Sequence, residues 1–125
     1  MNWEVMEIFK GIDLNDSFVL SWRQGTHELT FELEASIWPE SKYYEKPRID
    51  EYTCYKSAEL SFKNIKELSG LLEMNQVKAA TDDSGEKDYG NIDNLEENSE
   101  GFLVEGDFGS VSIVGGEISF EIKKT

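Results

Sequence analysis

The chain has 125 residues, with 26 acidic side chains against 12 basic ones and a net charge of −14 at pH 7. This length fits a single domain over residues 1–125, and a hydrophobic content of 38% favours a packed core over a disordered chain. The strong negative charge disfavours nucleic acid and anionic membranes as partners and favours a basic protein.

The clearest predicted element is a β-hairpin over residues 17–38. Apolar and polar side chains alternate on both sides of Gly25-Thr26, a dipeptide that suits a two-residue turn. Such a turn places Trp22 opposite Leu29, so that the apolar residues of both strands share one face. The residues of this face are Phe18, Leu20, Trp22, Leu29, Phe31, Leu33, Ala35 and Ile37.

The next part of the chain, residues 39–63, is predicted to form a loop and then a strand. Both prolines and many charged residues lie within residues 39–51, which predicts an exposed loop. Residues 52–63 return to alternation, and one face of this strand carries Cys54, Ala58, Leu60 and Phe62.

The segment after that strand has two interpretations. In the first, Asn64 caps a short helix, because the apolar residues between Ile65 and Leu72 follow helical spacing. In the second, Ile65 continues the strand pairing and only residues 67–72 turn.

Residues 82–100 form an acidic segment with eight acids and one base, which is half of the net charge of the chain. Its Asp, Asn, Ser and Gly content predicts a loop, with one short turn of helix or strand around Ile92 and Leu95. Such a charge density would steer a basic partner at long range. A solvated loop without a partner is the plainer interpretation.

The tripeptide Asp107-Phe108-Gly109 is also found in protein kinases, where its aspartate binds magnesium. A kinase needs roughly twice this length and further motifs, which the chain lacks. The tripeptide therefore predicts a tight turn, with either Gly106-Asp107 or Phe108-Gly109 at the reversal.

The C-terminal part of the chain predicts a β-meander. A two-residue turn at Gly115-Gly116 would pair Ile113 with Ile118 and keep the apolar residues of both strands together. The elements as a whole predict an α+β fold, mainly an antiparallel β-sheet built from hairpins and a meander, with one or two short helices.

Glu32 and Glu34 are the strongest catalytic candidates, because residues two apart on a strand point to one face, roughly 6.5–7 Å apart. That separation overlaps the spacing of the two carboxyl groups in an inverting glycosidase. Alternating Glu and Thr is also typical of a solvent-facing strand, so we expect no catalytic site. A small hydrolase that uses this paired-glutamate face is the alternative.

Metal and cofactor sites are not expected either. Cys54 and His27 are the single residues of their types and cannot supply a zinc cluster, and the acidic segment lacks the glycine spacing of a calcium loop. A lone cysteine forms no internal disulfide, and the N-terminus lacks the features of a signal peptide. We therefore expect a cytoplasmic protein.

The residue types of the chain support protein recognition better than they support a catalytic or metal site. Residues 38–55 concentrate Trp, Tyr, Lys and Arg, and Trp, Tyr and Arg dominate interface hot spots. Ordinary roles in a strand and at the edge of the core are the alternative for the aromatic residues. The residues expected to bind a partner are Trp38, Tyr43, Tyr44 and Arg48 in the loop, and Asp82, Asp83, Glu86, Asp88, Glu96 and Glu97 in the acidic segment.

Three stretches, DSFVLSWRQ, YTCY and EGDFGSVSI, resemble small, largely uncharacterised bacterial proteins of the immunity type. Immunity proteins bind and neutralise a toxin made by the same or a sibling cell. The resemblance implies a non-enzymatic domain that inhibits a basic partner protein by occlusion, and it assigns no functional residue. A structural role through self-association is a further alternative, and the sequence leaves the oligomeric state open.

Overall fold

The structure, a computed structural model, describes residues 1–47, 49, 53–81, 85 and 87–123. Most of these residues lie in β-strands, and the described ranges contain no α-helix. Three short 3-10 helices span Trp3–Val5, Glu7–Phe9 and Met74–Gln76. The strands are β1 (Ile12–Gln24), β2 (Leu29–Ile37), β3 (Cys54–Leu71), β4 (Ala80–Thr81), β5 (Lys87–Asp88), β6 (Ile92–Glu97), β7 (Gly101–Gly106) and β8 (Gly109–Ile122).

The predicted antiparallel architecture is confirmed, whereas the predicted short helices are represented only by the 3-10 turns. Six strands form one sheet in the order β1-β2-β3-β8-β7-β6, and β4 and β5 form a separate pair. Within the described ranges, no helix has the length and apolar character needed to cross a membrane.

The large sheet curls until its two outer strands meet. The Val19 N–H donates to the Gly90 carbonyl oxygen at 2.8 Å, and the Tyr89 N–H donates to the Val19 carbonyl oxygen at 2.8 Å. Asn91 and Phe18 add an antiparallel bridge at the same place. These bonds join β1 to the residues that precede β6, and they enclose the apolar face of the sheet.

The core lies inside this curl and is closed at one end by the N-terminal 3-10 helices. Every second residue of β2 points inward, and Leu29, Phe31 and Ala35 are fully buried. Phe9, from the second 3-10 helix, packs its ring against Phe120 at a centroid distance of 5.2 Å. Trp3 packs edge-on against Phe9 at 6.4 Å.

The predicted hairpin is present as β1 and β2, but its predicted register is wrong. Residues 25–28 form the loop, and Trp22 therefore faces Phe31 instead of Leu29. A bulge between Val19 and Ser21 puts an extra residue into β1, so Val19 and Trp22 both point into the core while Leu20 is half-exposed. Alternation alone does not reveal an inserted residue, and this is why the predicted face failed on β1.

The strand predicted over residues 52–63 is β3, and its predicted face is confirmed, since Cys54, Ala58, Leu60 and Phe62 are all buried. The helix predicted to start at Asn64 is wrong, because β3 continues to Leu71. Asn64 has a φ of 59° and marks a bend in the strand. Pairing with β8 from Ala58 to Leu71 outweighs the helical spacing of the apolar residues after Asn64.

The tripeptide at residues 107–109 forms a tight turn, as predicted. Gly106 pairs with Gly109, so Asp107 and Phe108 are the two turn residues between β7 and β8, and the reversal lies between the two predicted alternatives. Phe108 is fully buried, with its ring centroid 4.7 Å from that of Phe31.

The turn predicted at Gly115-Gly116 is wrong, because β8 runs through both glycines. Their φ angles of 74° and 91° bend the strand and do not reverse it. Ile113 pairs with Phe102 on one side, and Ile118 pairs with Phe62. Positive φ at glycine serves a bend inside a strand as well as a turn, so the dipeptide did not discriminate between them.

Candidate functional site

The candidate site is an acidic surface formed by β5, β6, β7 and the turns around them. Residues 87–114 contain seven acids and one base, Lys87. The short stretch of helix or strand predicted around Ile92 and Leu95 is present as the strand β6, in which both residues are fully buried. Those two buried residues fix β6 in the sheet and leave its carboxylates outside the core. The acidic surface consists of Asp88, Asp93, Glu96, Glu97, Glu100, Glu105 and Asp107.

None of these seven carboxylates forms an ion pair with any residue that the structure describes. Their contacts are with neutral groups. The Asp88 carboxylate accepts a hydrogen bond from the Gly90 N–H at 3.0 Å, and Glu105 accepts from Asn94 at 3.2 Å and from Ser110 at 3.1 Å. The Met1 ammonium donates to the backbone carbonyl oxygen of Glu97 at 2.6 Å, so one positive charge lies beside the surface, but no described cation pairs with any of its seven carboxylates.

Three carboxylates on the β1–β2–β3 side of the sheet have the opposite environment. Glu32 accepts hydrogen bonds from Arg23 at 2.8 Å and from Lys123 at 2.5 Å. Glu59 lies 3.4 Å from Lys123 and 3.6 Å from Arg23, and Glu45 lies 2.9 Å from Lys56. These three carboxylates are each matched by a base, whereas Asp13, Glu28 and Glu67 on the same side form no ion pair with a described residue.

The pKa of Glu32 is lowered from its ordinary value of 4.5. Burial by itself raises this pKa, but the hydrogen bonds from Lys123 and Arg23 and their positive charges together lower it by more. The same contacts raise the pKa of Lys123 and of Arg23, in each case chiefly through the hydrogen bond to Glu32.

We expect Glu32→Gln to be less stable than the wild type at neutral pH, with a difference that disappears in acid. A carboxyl group whose pKa is lower in the folded state stabilises the fold above its unfolded pKa, and this contribution is lost as the pH falls through the folded pKa. Urea unfolding of both proteins between pH 7 and pH 3 measures the difference. A difference that stays constant below pH 4.5 would show that the charge of Glu32 is not its cause.

The paired glutamates Glu32 and Glu34 do lie on one face of β2, both half-buried. A general acid at neutral pH needs a raised pKa, whereas the pKa of Glu32 is lowered, and both of its oxygens are bound by bases. This environment favours a structural role for Glu32.

The aromatic residues of the loop differ in exposure. Trp38 and Tyr43 are 39% and 40% exposed, whereas Tyr44 is half-buried and packs against the core. The Trp38 N–H donates to the carbonyl oxygen of Gly11, the residue before β1, at 2.9 Å, which fixes the start of the loop beside β1. Lys42 lies over the ring of Tyr43, with its ammonium 5.2 Å from the ring centroid.

The two sets of predicted binding residues do not contact each other directly within the described residues. Tyr43 borders a groove of about 480 Å³ next to residues 120–122. No hydrogen bond, ion pair or ring contact within the described ranges joins Trp38, Tyr43 or Tyr44 to Asp88, Glu96 or Glu97. Four other predicted residues lie outside the described residues: Arg48, Asp82, Asp83 and Glu86.

Four residues of the acidic surface, Asp93, Glu100, Glu105 and Asp107, are not among the predicted binding residues, and the last two also lie outside the acidic segment of residues 82–100. Glu105 alternates with the buried Val104 on β7, and this alternation places its side chain on the outer face. The alternation of residues 101–106 in the sequence could therefore have predicted that Glu105 lies on the outer face of the sheet. Asp107 precedes the buried Phe108 in the turn and is exposed.

Comparisons of the chain with protein-family models, with curated proteins and with solved structures give no match. Among the described residues, no three His, Cys, Asp or Glu side chains converge as metal ligands would.

Proposed function

We propose that this chain is a non-enzymatic protein-binding domain that inhibits a basic partner protein, in the manner of an immunity protein. The observation that carries this proposal is the unequal pairing of charge. Glu32, Glu45 and Glu59 are each matched with a base, and none of the seven carboxylates of the acidic surface is matched within the described residues.

An unpaired set of like charges produces a field that extends beyond the protein surface. Such a field raises the rate at which an oppositely charged protein arrives, and salt weakens the effect. Like charges held together on a folded strand also repel one another, so a basic partner would relieve a cost that the free protein bears. A surface whose charges are paired, such as that around Glu32, would attract neither positively nor negatively charged proteins.

Inhibition would follow from occlusion. The acidic surface would steer the basic partner, and exposed aromatic rings would hold it, because Trp and Tyr bury a large area at low entropic cost. Trp38 and Tyr43 are exposed enough to serve in this way, and Tyr44 would support them from its half-buried position. The covered region of the partner would include its active site.

The test is capture from the lysate of the producing organism with immobilised protein, at low and at high salt. Wild-type protein is expected to retain a basic protein at low salt and much less of it at high salt. The variant Glu96→Gln/Glu97→Gln removes two charges from the acidic surface and is expected to retain several-fold less.

The matched control is Glu28→Gln/Glu73→Gln, which removes the same net charge at two exposed positions outside residues 87–114. It is expected to retain as much partner as the wild type. Equal losses in both variants would mean that only the total charge matters, and retention of nothing by the wild type would remove the proposed partner altogether.

A further inference from the structure

The second half of β8 has an open edge. β8 pairs with β7 only over residues 109–114, whereas its pairing with β3 continues to Ile122. The bend at Gly115 and Gly116 separates the two halves. No strand in the described part of the chain pairs with the outer edge of residues 117–122.

The ladder with β3 shows which backbone groups face this edge. The Lys123 N–H donates to the Ser57 carbonyl oxygen at 2.8 Å, so every second residue from 117 to 123 bonds to β3. The residues between them direct their N–H and C=O groups away from β3. These residues are Ile118, Phe120 and Ile122.

The same three residues carry half-exposed apolar side chains. A groove of about 480 Å³ runs beside Phe120 and Ile122, and its other wall includes Ile8 and Tyr43, which are 39% and 40% exposed. Proteins protect open edges with proline, with inward-pointing charges or with a covering segment. Residues 117–122 contain no proline and no lysine, and their charges, Glu117 and Glu121, alternate with the outward-bonding residues. Phe9 packs on the ring of Phe120, but no described strand pairs with the backbone of this edge, which leaves it open to another strand.

We propose that two copies of this chain associate by antiparallel pairing of these edges about a two-fold axis at Phe120. Phe120 is then paired with Phe120 of the second copy, and Ile118 with Ile122 of the second copy. The N–H and C=O groups that point away from β3 in one copy can therefore bond to those of the other. The pairing forms about six hydrogen bonds between the chains. It also covers the half-exposed apolar side chains of both edges.

Charge selects this register over its neighbours. With the axis at Phe120, Glu117 of each copy lies opposite Lys123 of the other and would join the ion pairs that Lys123 already forms with Glu32 and Glu59. Moving the axis to Ser119 places Glu117 opposite Glu121, and moving it to Glu121 places the two copies of Glu121 opposite each other. Opposite charges across a strand pair stabilise it, and like charges destabilise it.

This association does not involve the acidic surface, which carries the steering step of the proposed function. The acidic surface lies on β5, β6, β7 and their turns and stays outside the pairing. Tyr43 borders the groove, so the second copy and a basic partner would compete for that ring. If no partner is captured from the lysate, the proposed dimer is unaffected. If the protein proves to be a monomer, the acidic surface can still bind a basic partner.

The test is the molar mass of the full chain in solution, measured by sedimentation from about 1 μM to about 1 mM at low salt. The mass is expected to rise from 14.3 kDa to twice that value with concentration. Glu117→Lys places Lys opposite Lys at both ends of the pairing and is expected to raise the dimer Kd roughly tenfold.

The matched control is Glu121→Lys, which makes the same charge change on the same strand but lies opposite Ser119 and should leave the Kd nearly unchanged. Ile118→Pro removes an outward N–H without removing a bond to β3, and is expected to give a monomer. Unfolding curves confirm that each variant is folded. A monomeric wild type, equal effects of Glu117→Lys and Glu121→Lys, or a dimer that tolerates a folded Ile118→Pro would each overturn the proposal.

Discussion

Replacing Phe108 with alanine is expected to destabilise the protein by about 3–5 kcal/mol, because it empties a fully buried site. The ring of Phe108 packs between Phe31, at a centroid distance of 4.7 Å, and Trp22, at 6.0 Å. Its loss would also loosen the β7–β8 turn on which it sits. Thermal unfolding should show a fall of the midpoint by roughly 10–20 °C.

Phe18→Ala is the matched control for this experiment. It removes the same side chain from a half-exposed position on β1, where the ring contacts Tyr55 at a centroid distance of 5.6 Å. We expect a loss of about 1 kcal/mol, since little buried volume is vacated. If Phe108→Ala cost no more than Phe18→Ala, the turn would not be anchored in the core as described.

Gly70→Ala is expected to have the second large effect, a loss of at least about 3 kcal/mol. Gly70 has a φ of 89°, and a Cβ atom there would lie 1.9 Å from the carbonyl oxygen of Ser110. Gly109 approaches from the other strand in the same way, since its Cβ would lie 2.1 Å from the Gly70 carbonyl oxygen. Alanine at position 70 would therefore force β3 and β8 apart.

Gly85→Ala separates the effect of the clash from that of the backbone angle. Gly85 has a φ of 86°, close to that of Gly70, and no atom of the described residues lies within 4 Å of a Cβ placed there. The backbone angle alone should cost about 1 kcal/mol. Urea unfolding of both variants gives the comparison, and similar losses would rule out the close approach of β3 and β8 as the cause.

The parts of the fold that could be predicted are those in which one face of a strand alternates without interruption. β2 and the first half of β3 are of this kind, and their buried residues follow the sequence pattern. The turn at Asp107 and Phe108 was predictable for a related reason. Local residue types specify a tight turn, and the apolar residues on both sides of it limit its position to within one residue.

The predictions failed where long-range pairing decided the outcome. The bulge after Val19 changes which residues of β1 point inward, and nothing in the local alternation signals it. Gly115 and Gly116 have the angles of a turn, but β3 pairs with β8 on both sides of them and keeps the strand continuous. Asn64 likewise bends β3 without ending it, because β3 pairs with β8 on both sides of it.

The candidate site was predictable in composition and not in arrangement. A dense run of acids is visible in the sequence, including Glu96 and Glu97. Whether those acids are matched by bases depends on which strands lie side by side. Only the fold shows that Arg23 and Lys123, a hundred residues apart in the chain, both bind Glu32 and leave the acidic surface unmatched.

The most direct test of the central claim is the association rate constant of the captured partner, measured as a function of salt concentration. Wild-type protein and Glu28→Gln/Glu73→Gln should associate fast at low salt and slow down steeply as salt is added. Glu96→Gln/Glu97→Gln should associate roughly threefold to tenfold more slowly at low salt, with a shallower salt dependence. Identical rates and salt dependences for all three proteins would contradict the claim that the acidic surface steers a basic partner.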